Sequence, residues 1–220
     1  MDELELRVAW ERHVAGSGGG RAWFDSLLAR HREPHRRYHG VRHVRWVVRR
    51  AQELGALHAA RVQDLGAVVA AAFFHDAVYD PARVDNETVS AGMAGDALVE
   101  LGWARERAAA VAELVRATAG HAHVTGPAAP LDTAVLLAAD LAVLAADPAG
   151  YRDYVVAVRS EYAEVSDAAW CVGRSRVLRS FVDRPAIYEP QLRLPDWERR
   201  ARGNIAAELA SLEQGSVSDA

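Results

Sequence analysis

Leu65-Gly-Ala-Val-Val-Ala-Ala-Ala-Phe-Phe74-His75-Asp76 is the stretch on which the fold turns. Leu65 to Phe74 is the longest apolar run in the chain, and it is too short to span a bilayer. It ends directly in an imidazole and a carboxylate. A charged carboxylate beside such a run is costly unless it is paired or binds a cation. The stretch therefore reads as a buried core helix that carries a site at its end.

Outward from this helix, apolar residues recur at three- and four-residue spacing, and no segment shows sustained strand-like alternation. The pattern predicts an all-α fold, a single bundle of about nine to ten helices. Helices are expected over 4–14, 22–31, 39–54, 59–79, 86–101, 104–119, 132–145, 151–162, 167–182 and 195–212. The stop signals are Pro34, Gly55 as a C-terminal cap, Gly102 and Gly120, while Asp132 is read as an N-cap. One domain is expected over 1–212, followed by a small polar, disordered tail over 213–220.

The bulk composition fits that reading. Of 220 residues, 50% are hydrophobic and 25% charged, with a formal net charge of −4. So mild an acidity gives no support for a stable nucleic-acid partner, which normally needs a basic face. All 26 cationic side chains are Arg. The one cysteine, Cys171, excludes an intrachain disulfide and favours a cytoplasmic location; it is expected to be packed in the core. The acidic start, Met1-Asp-Glu-Leu-Glu-Leu6, is not expected to act as a signal peptide, and no membrane association is expected.

Three further groups join His75-Asp76. Tyr38-His39-Gly-Val-Arg-His43 places His39 and His43 one turn apart on one helix face. Asp140 is a lone carboxylate in the apolar segment Leu136-Leu-Ala-Ala-Asp-Leu-Ala142. His121-Ala-His123 follows a helix end. Imidazoles combined with carboxylates suit Mn, Mg, Ni, Co, Fe or Zn rather than a thiolate-loving metal. Adjacent residues on a helix diverge by ~100°, so His75 and Asp76 reach one ion only near the helix end, with other helices closing the sphere. His43 and Asp140 are suited to do so.

The order His, then His-Asp, then a distant Asp on successive helices resembles the HD superfamily of metal-dependent phosphohydrolases, and within it a bacterial subgroup of predicted HD phosphohydrolases. The likeness continues in Phe74-His75-Asp76-Ala-Val-Tyr79-Asp80, Asp85-Asn86-Glu87, Ser90-Ala91 and Ala139-Asp140-Leu141. It extends to Arg159-Ser-Glu161-Tyr162, Gly173-Arg174, Arg184-Pro-Ala-Ile187-Tyr188 and Ala201-Arg202-Gly-Asn204, covering roughly residues 20 to 212.

The resemblance implies a helical bundle around one divalent ion held by His43, His75, Asp76 and Asp140. It implies hydrolysis of a small phosphate ester, a nucleotide among the candidates, by a metal-activated water. Asp80 and Glu87 are candidates for proton transfer or water orientation beside Asp76. The competing readings are a turn residue for Asp80 and helix-dipole stabilisation for Glu87. His39, Arg42 and His121 are candidate substrate-binding groups.

Two readings from other classes stay open: a non-catalytic, metal-clamped nucleotide-sensing module, and an HD-fold di-iron oxygenase that would draw on His121 and His123. A homodimer is compatible with the sequence, with Trp103, Trp170 or Trp197 available for an interface. Of the other histidines, His31 and His35 are expected at the surface, and His13 and His58 carry no signal. Arg159, Glu161, Tyr162 and Arg174 are expected to form a buried supporting network.

Overall fold

A computed structural model describes residues 2–15, 20–121 and 131–217. Among these residues the chain is all-helical, with ten α-helices, two short 3-10 helices and no strand. It divides into two compact units, Met1–Asp140 and Leu141–Ala220. No single described helix is long and apolar enough to cross a membrane.

The first unit contains α1 (Asp2–His13), α2 (Arg21–Arg30), α3 (Val41–Leu57), α4 (Leu65–Phe74), α5 (Asn86–Glu100), α6 (Arg105–Ala117) and α7 (Asp132–Asp140). The apolar run is α4, and it is the core: every residue from Ala67 to Phe74 is buried. It packs against α1, α3, α5, α6 and α7. Trp10 of α1 meets Phe73 edge-on at 5.2 Å and lies 5.9 Å from Phe24 of α2, so aromatic rings seal one flank of α4.

Local chemistry sets the ends of α4, and it shortens the helix expected over 59–79. Asp64 caps its start, accepting from the Ala67 amide at 2.9 Å. Asp132 does not cap its own helix as expected. Its two carboxylate oxygens accept from the backbone amides of Gln63 and Asp64 at 2.7 and 2.9 Å, tying the start of α4 to the start of α7. Gly55 does not end α3, which continues to Leu57. A Cβ at Gly55 would lie 2.4 Å from Leu65 Cδ1, so the glycine permits the close approach of α3 to the start of α4.

The second unit holds a 3-10 turn (Leu141–Ala145), α8 (Pro148–Glu161), α9 (Asp167–Val182), a 3-10 turn (Pro190–Leu192) and α10 (Pro195–Val217). Helix α8 begins three residues earlier than expected. Asp147 accepts from the Ala149 and Gly150 amides, and Pro148 occupies the first turn. Helix α10 runs past Leu212 to Val217, so the tail expected to be disordered from 213 is helical at its start; Arg179 of α9 pairs with Glu213 at 3.0 Å. Cys171 is half-buried rather than packed in the core.

The supporting network of this unit differs from the one expected. Arg174 pairs with Glu208 of α10, while Arg159 instead closes the end of α8, donating to the carbonyls of Tyr162 and Val165 and to Asp167.

Candidate metal centre

Helix ends place the four expected ligands. His43 lies in the first turn of α3, His75 is the C-cap of α4, Asp76 follows it, and Asp140 is the last residue of α7. The C-terminal ends of α4 and α7 carry partial negative charge, which favours a cation nearby.

The side chains converge. His43 Nε2 and His75 Nε2 are 3.0 Å apart. Asp76 Oδ2 lies 3.2 Å from the first and 3.1 Å from the second. Asp140 Oδ1 lies 3.3 and 3.6 Å from the same two nitrogens. Donors ~2.1 Å from one ion sit ~3.0 Å apart as neighbours on an octahedron and ~3.4 Å apart on a tetrahedron, so the separations among His43, His75 and Asp140 fit a common ion. The His43, His75 and Asp140 group can hold a metal ion, with both histidines buried.

Electrostatics agree with the geometry. Burial alone pulls both imidazoles down, yet the Asp76 and Asp140 carboxylates raise His43 above its ordinary value and His75 well above it. Burial alone pushes both carboxyls up, yet His75 and His43 hold Asp76 well below the usual range, and His121, His43 and His75 do the same for Asp140. Imidazoles and carboxylates thus each favour the charged form of the other.

The flanking groups orient it. His75 Nδ1 is 3.0 Å from the Ala72 carbonyl. Donation there leaves the Nε2 lone pair directed at the cluster, the tautomer a ligand needs. His121 Nε2 meets Asp140 Oδ2 at 2.8 Å, leaving Oδ1 for the centre. His121 holds this position with φ of 45°, in the left-handed region. His39 stacks on Tyr79 at 4.2 Å, with its ring 5.5 Å from that of His43. His123 lies outside the described residues.

The remaining candidates, Asp80, Glu87 and Arg42, lie on the loop after α4, on α5 and on α3. Helix α4 ends before Asp80, so the spacing that would align it with Asp76 does not apply. Asp80 is exposed and its carboxylate accepts from the Ala82 amide at 2.9 Å, as a turn residue does. Glu87 is half-buried in the first turn of α5, and Arg42 is exposed on α3.

Three residues near the site have roles that the sequence reading did not assign. Ser90 of α5 is fully buried and holds the turn after Asp76, its Oγ accepting from the Val78 amide at 3.0 Å. His31, expected at the surface, is 2% exposed. Burial and the neighbouring Arg36 pull its imidazole down to about 3. Arg36 itself is buried and donates to the carbonyls of both Asp76 and Ala77. Its segment, Pro34 to Gly40, lacks the periodicity that would have marked it. His35, as expected, is exposed.

No protein-family model, curated protein or solved structure matches the chain.

Proposed function

We propose that this chain is a metal-dependent phosphohydrolase of the HD type, acting on a small phosphate ester in the cytoplasm. The observation that carries the reading is the convergence at three helix ends of two imidazole nitrogens 3.0 Å apart and two carboxylate oxygens, each 3.1 to 3.6 Å from both nitrogens. This agrees with the ordered His, His-Asp, Asp pattern on which the resemblance rests.

His43, His75, Asp76 and Asp140 would hold one divalent ion of the Mn, Mg, Ni, Co, Fe or Zn group. Such an ion supplies a Lewis acid for a phosphoryl oxygen and lowers the pKa of water. The chain's own part is to bind and orient. The Ala72 carbonyl selects the His75 tautomer, and His121 steadies Asp140. His39, half-buried beside His43, and His121 are the side chains we assign to the substrate phosphate.

The test has two readouts. Metal content of the purified protein is measured by mass spectrometry, and phosphomonoesters, nucleotides and cyclic dinucleotides are screened with added Mn, Ni, Co or Mg. One ion per chain and metal-dependent phosphate release are expected, with both lost when His75→Ala is combined with Asp76→Ala. A metal-loaded protein that hydrolyses none of the panel defeats the hydrolase reading. Activity that survives the double substitution defeats the site assignment.

A further inference from the structure

Between α2 and α3 the chain makes a tight loop around one buried guanidinium. Arg36 is 7% exposed and uses its fork in four directions. Nε donates to Glu33 Oε2 at 3.0 Å. Nη1 donates to the Asp76 carbonyl at 2.6 Å and to the His39 carbonyl at 3.3 Å. Nη2 donates to the Ala77 carbonyl at 3.2 Å. The guanidinium carbon lies 5.6 Å from the centre of the Tyr79 ring, and Nη1 is 3.4 Å from Nδ1 of buried His31.

These acceptors belong to two segments far apart in sequence. Asp76 and Ala77 form the turn that carries His75 and Asp76. His39 belongs to the short stretch that leads through Gly40 into the first turn of α3, where His43 sits. The loop closes on itself here: a Cβ on Gly40 would stand 3.1 Å from the His31 carbonyl. A buried carbonyl with no donor is costly, and the turn after α4 presents two that the helix no longer serves. One planar cation satisfies both and joins them to the approach to α3.

We infer that Arg36 is a positioning residue for the metal centre, a clip that sets the distance between the His75-Asp76 turn and His43. The inference rests on the reading of the cluster as a cation site. A lysine cannot replace the clip, because one ammonium on a flexible stem lacks the fixed fork that reaches all four acceptors.

The test uses Arg36→Gln, Arg36→Lys and, as a control on the exposed face of α3, Arg49→Gln. Far-UV circular dichroism checks folding, and each full-length protein is titrated with Co2+ alone, followed by its visible absorption. Loss of an outer-shell partner weakens metal binding by ~10–100-fold, and that loss is expected for both Arg36 variants with an altered Co2+ spectrum, the control matching wild type. Folded Arg36 variants with wild-type affinity and spectrum overturn the inference. Unfolding of both overturns it too, in favour of a purely structural role.

If the wild type binds no Co2+, the metal-site reading fails on its own terms. The ion-free proteins then decide the clip through the imidazole 15N resonances of His43 and His75. A shift of these resonances in Arg36→Lys upholds it, and unchanged resonances overturn it.

Discussion

In the Leu141–Ala220 unit, Arg174 donates through Nε and Nη2 to the two oxygens of Glu208 at 2.7 and 3.1 Å. Its Nη1 donates to the Tyr154 hydroxyl at 3.1 Å, and Tyr151 donates to Glu208 at 2.6 Å. In the Met1–Asp140 unit, two imidazoles and two carboxylates are drawn together just as tightly, but none of the four carries a fixed positive charge. The first cluster holds one cation, one anion and a donor for every acceptor named, so it is complete as folded. Burial and the Glu208 carboxylate raise the Tyr151 hydroxyl, which stays a donor. The second joins two imidazoles to two carboxylates, and each kind of group favours the charged form of the other, so the imidazoles rise and the carboxyls fall. The first cluster is complete in itself, whereas the second brings His43, His75 and Asp140 together in a group that could hold a metal ion.

The sharpest way to break that contrast is to unbalance the balanced cluster. Glu208→Ala leaves the Arg174 guanidinium buried without its carboxylate, and the expected cost is ~3–5 kcal/mol of unfolding free energy. Replacing Arg174 and Glu208 together by Met and Leu is expected to recover most of it. Urea melts measure both, and a single substitution costing under ~1 kcal/mol would show that the pair contributes little.

The converse experiment completes the unbalanced cluster. An ion bound only by the folded state at 100 times its dissociation constant adds ~2.7 kcal/mol. Thermal melts with and without Mn2+ or Co2+ are therefore expected to show stabilisation that a chelator reverses. His75→Ala combined with Asp76→Ala should show none. Equal stabilisation of wild type and double variant would mean that the ion acts elsewhere.

A slope rather than a midpoint tests the buried histidine behind the cluster. The His31 imidazole titrates at about 3 in the folded chain, against an ordinary value of 6.5. The unfolded chain therefore binds the extra proton between these values. The stability that neutral His31 contributes is complete above 6.5 and is lost as pH falls towards 3, by at most ~1.4 kcal/mol per pH unit. In the ion-free protein His31→Leu is expected to flatten the pH dependence of unfolding below 6.5. An unchanged slope would place the titration on another group.

Legibility followed from the physics of single segments. The apolar run before His75 and the lone carboxylate in α7 announced themselves, because a charge beside so much apolar surface demands a partner whatever the fold. Arg36 and His31 gave no such signal: each lies among charged neighbours and becomes unusual only when another segment buries it. Glu208, a lone carboxylate between Ala206-Ala207 and Leu209-Ala210, did carry one and went unread, because its partner Arg174 lies on another helix. Glu208 sits 34 residues from Arg174, and Arg36 sits 40 residues from the Asp76 carbonyl it holds. Asp132 was misassigned for the same reason, since the amides it serves belong to Gln63 and Asp64 rather than to its own helix.

Helical periodicity, the buried identity of α4 and the residue types capable of holding a cation were determined by the sequence alone, because hydrophobic spacing and the cost of burying charge act locally. Tertiary structure alone decided where α4 stops, that Asp80 falls beyond the helix while His121 reaches Asp140, and that a distant arginine donates to the carbonyls of Asp76 and Ala77. Those outcomes depend on which segment's donors meet which segment's acceptors, and pairing across tens of residues is settled only when the helices pack.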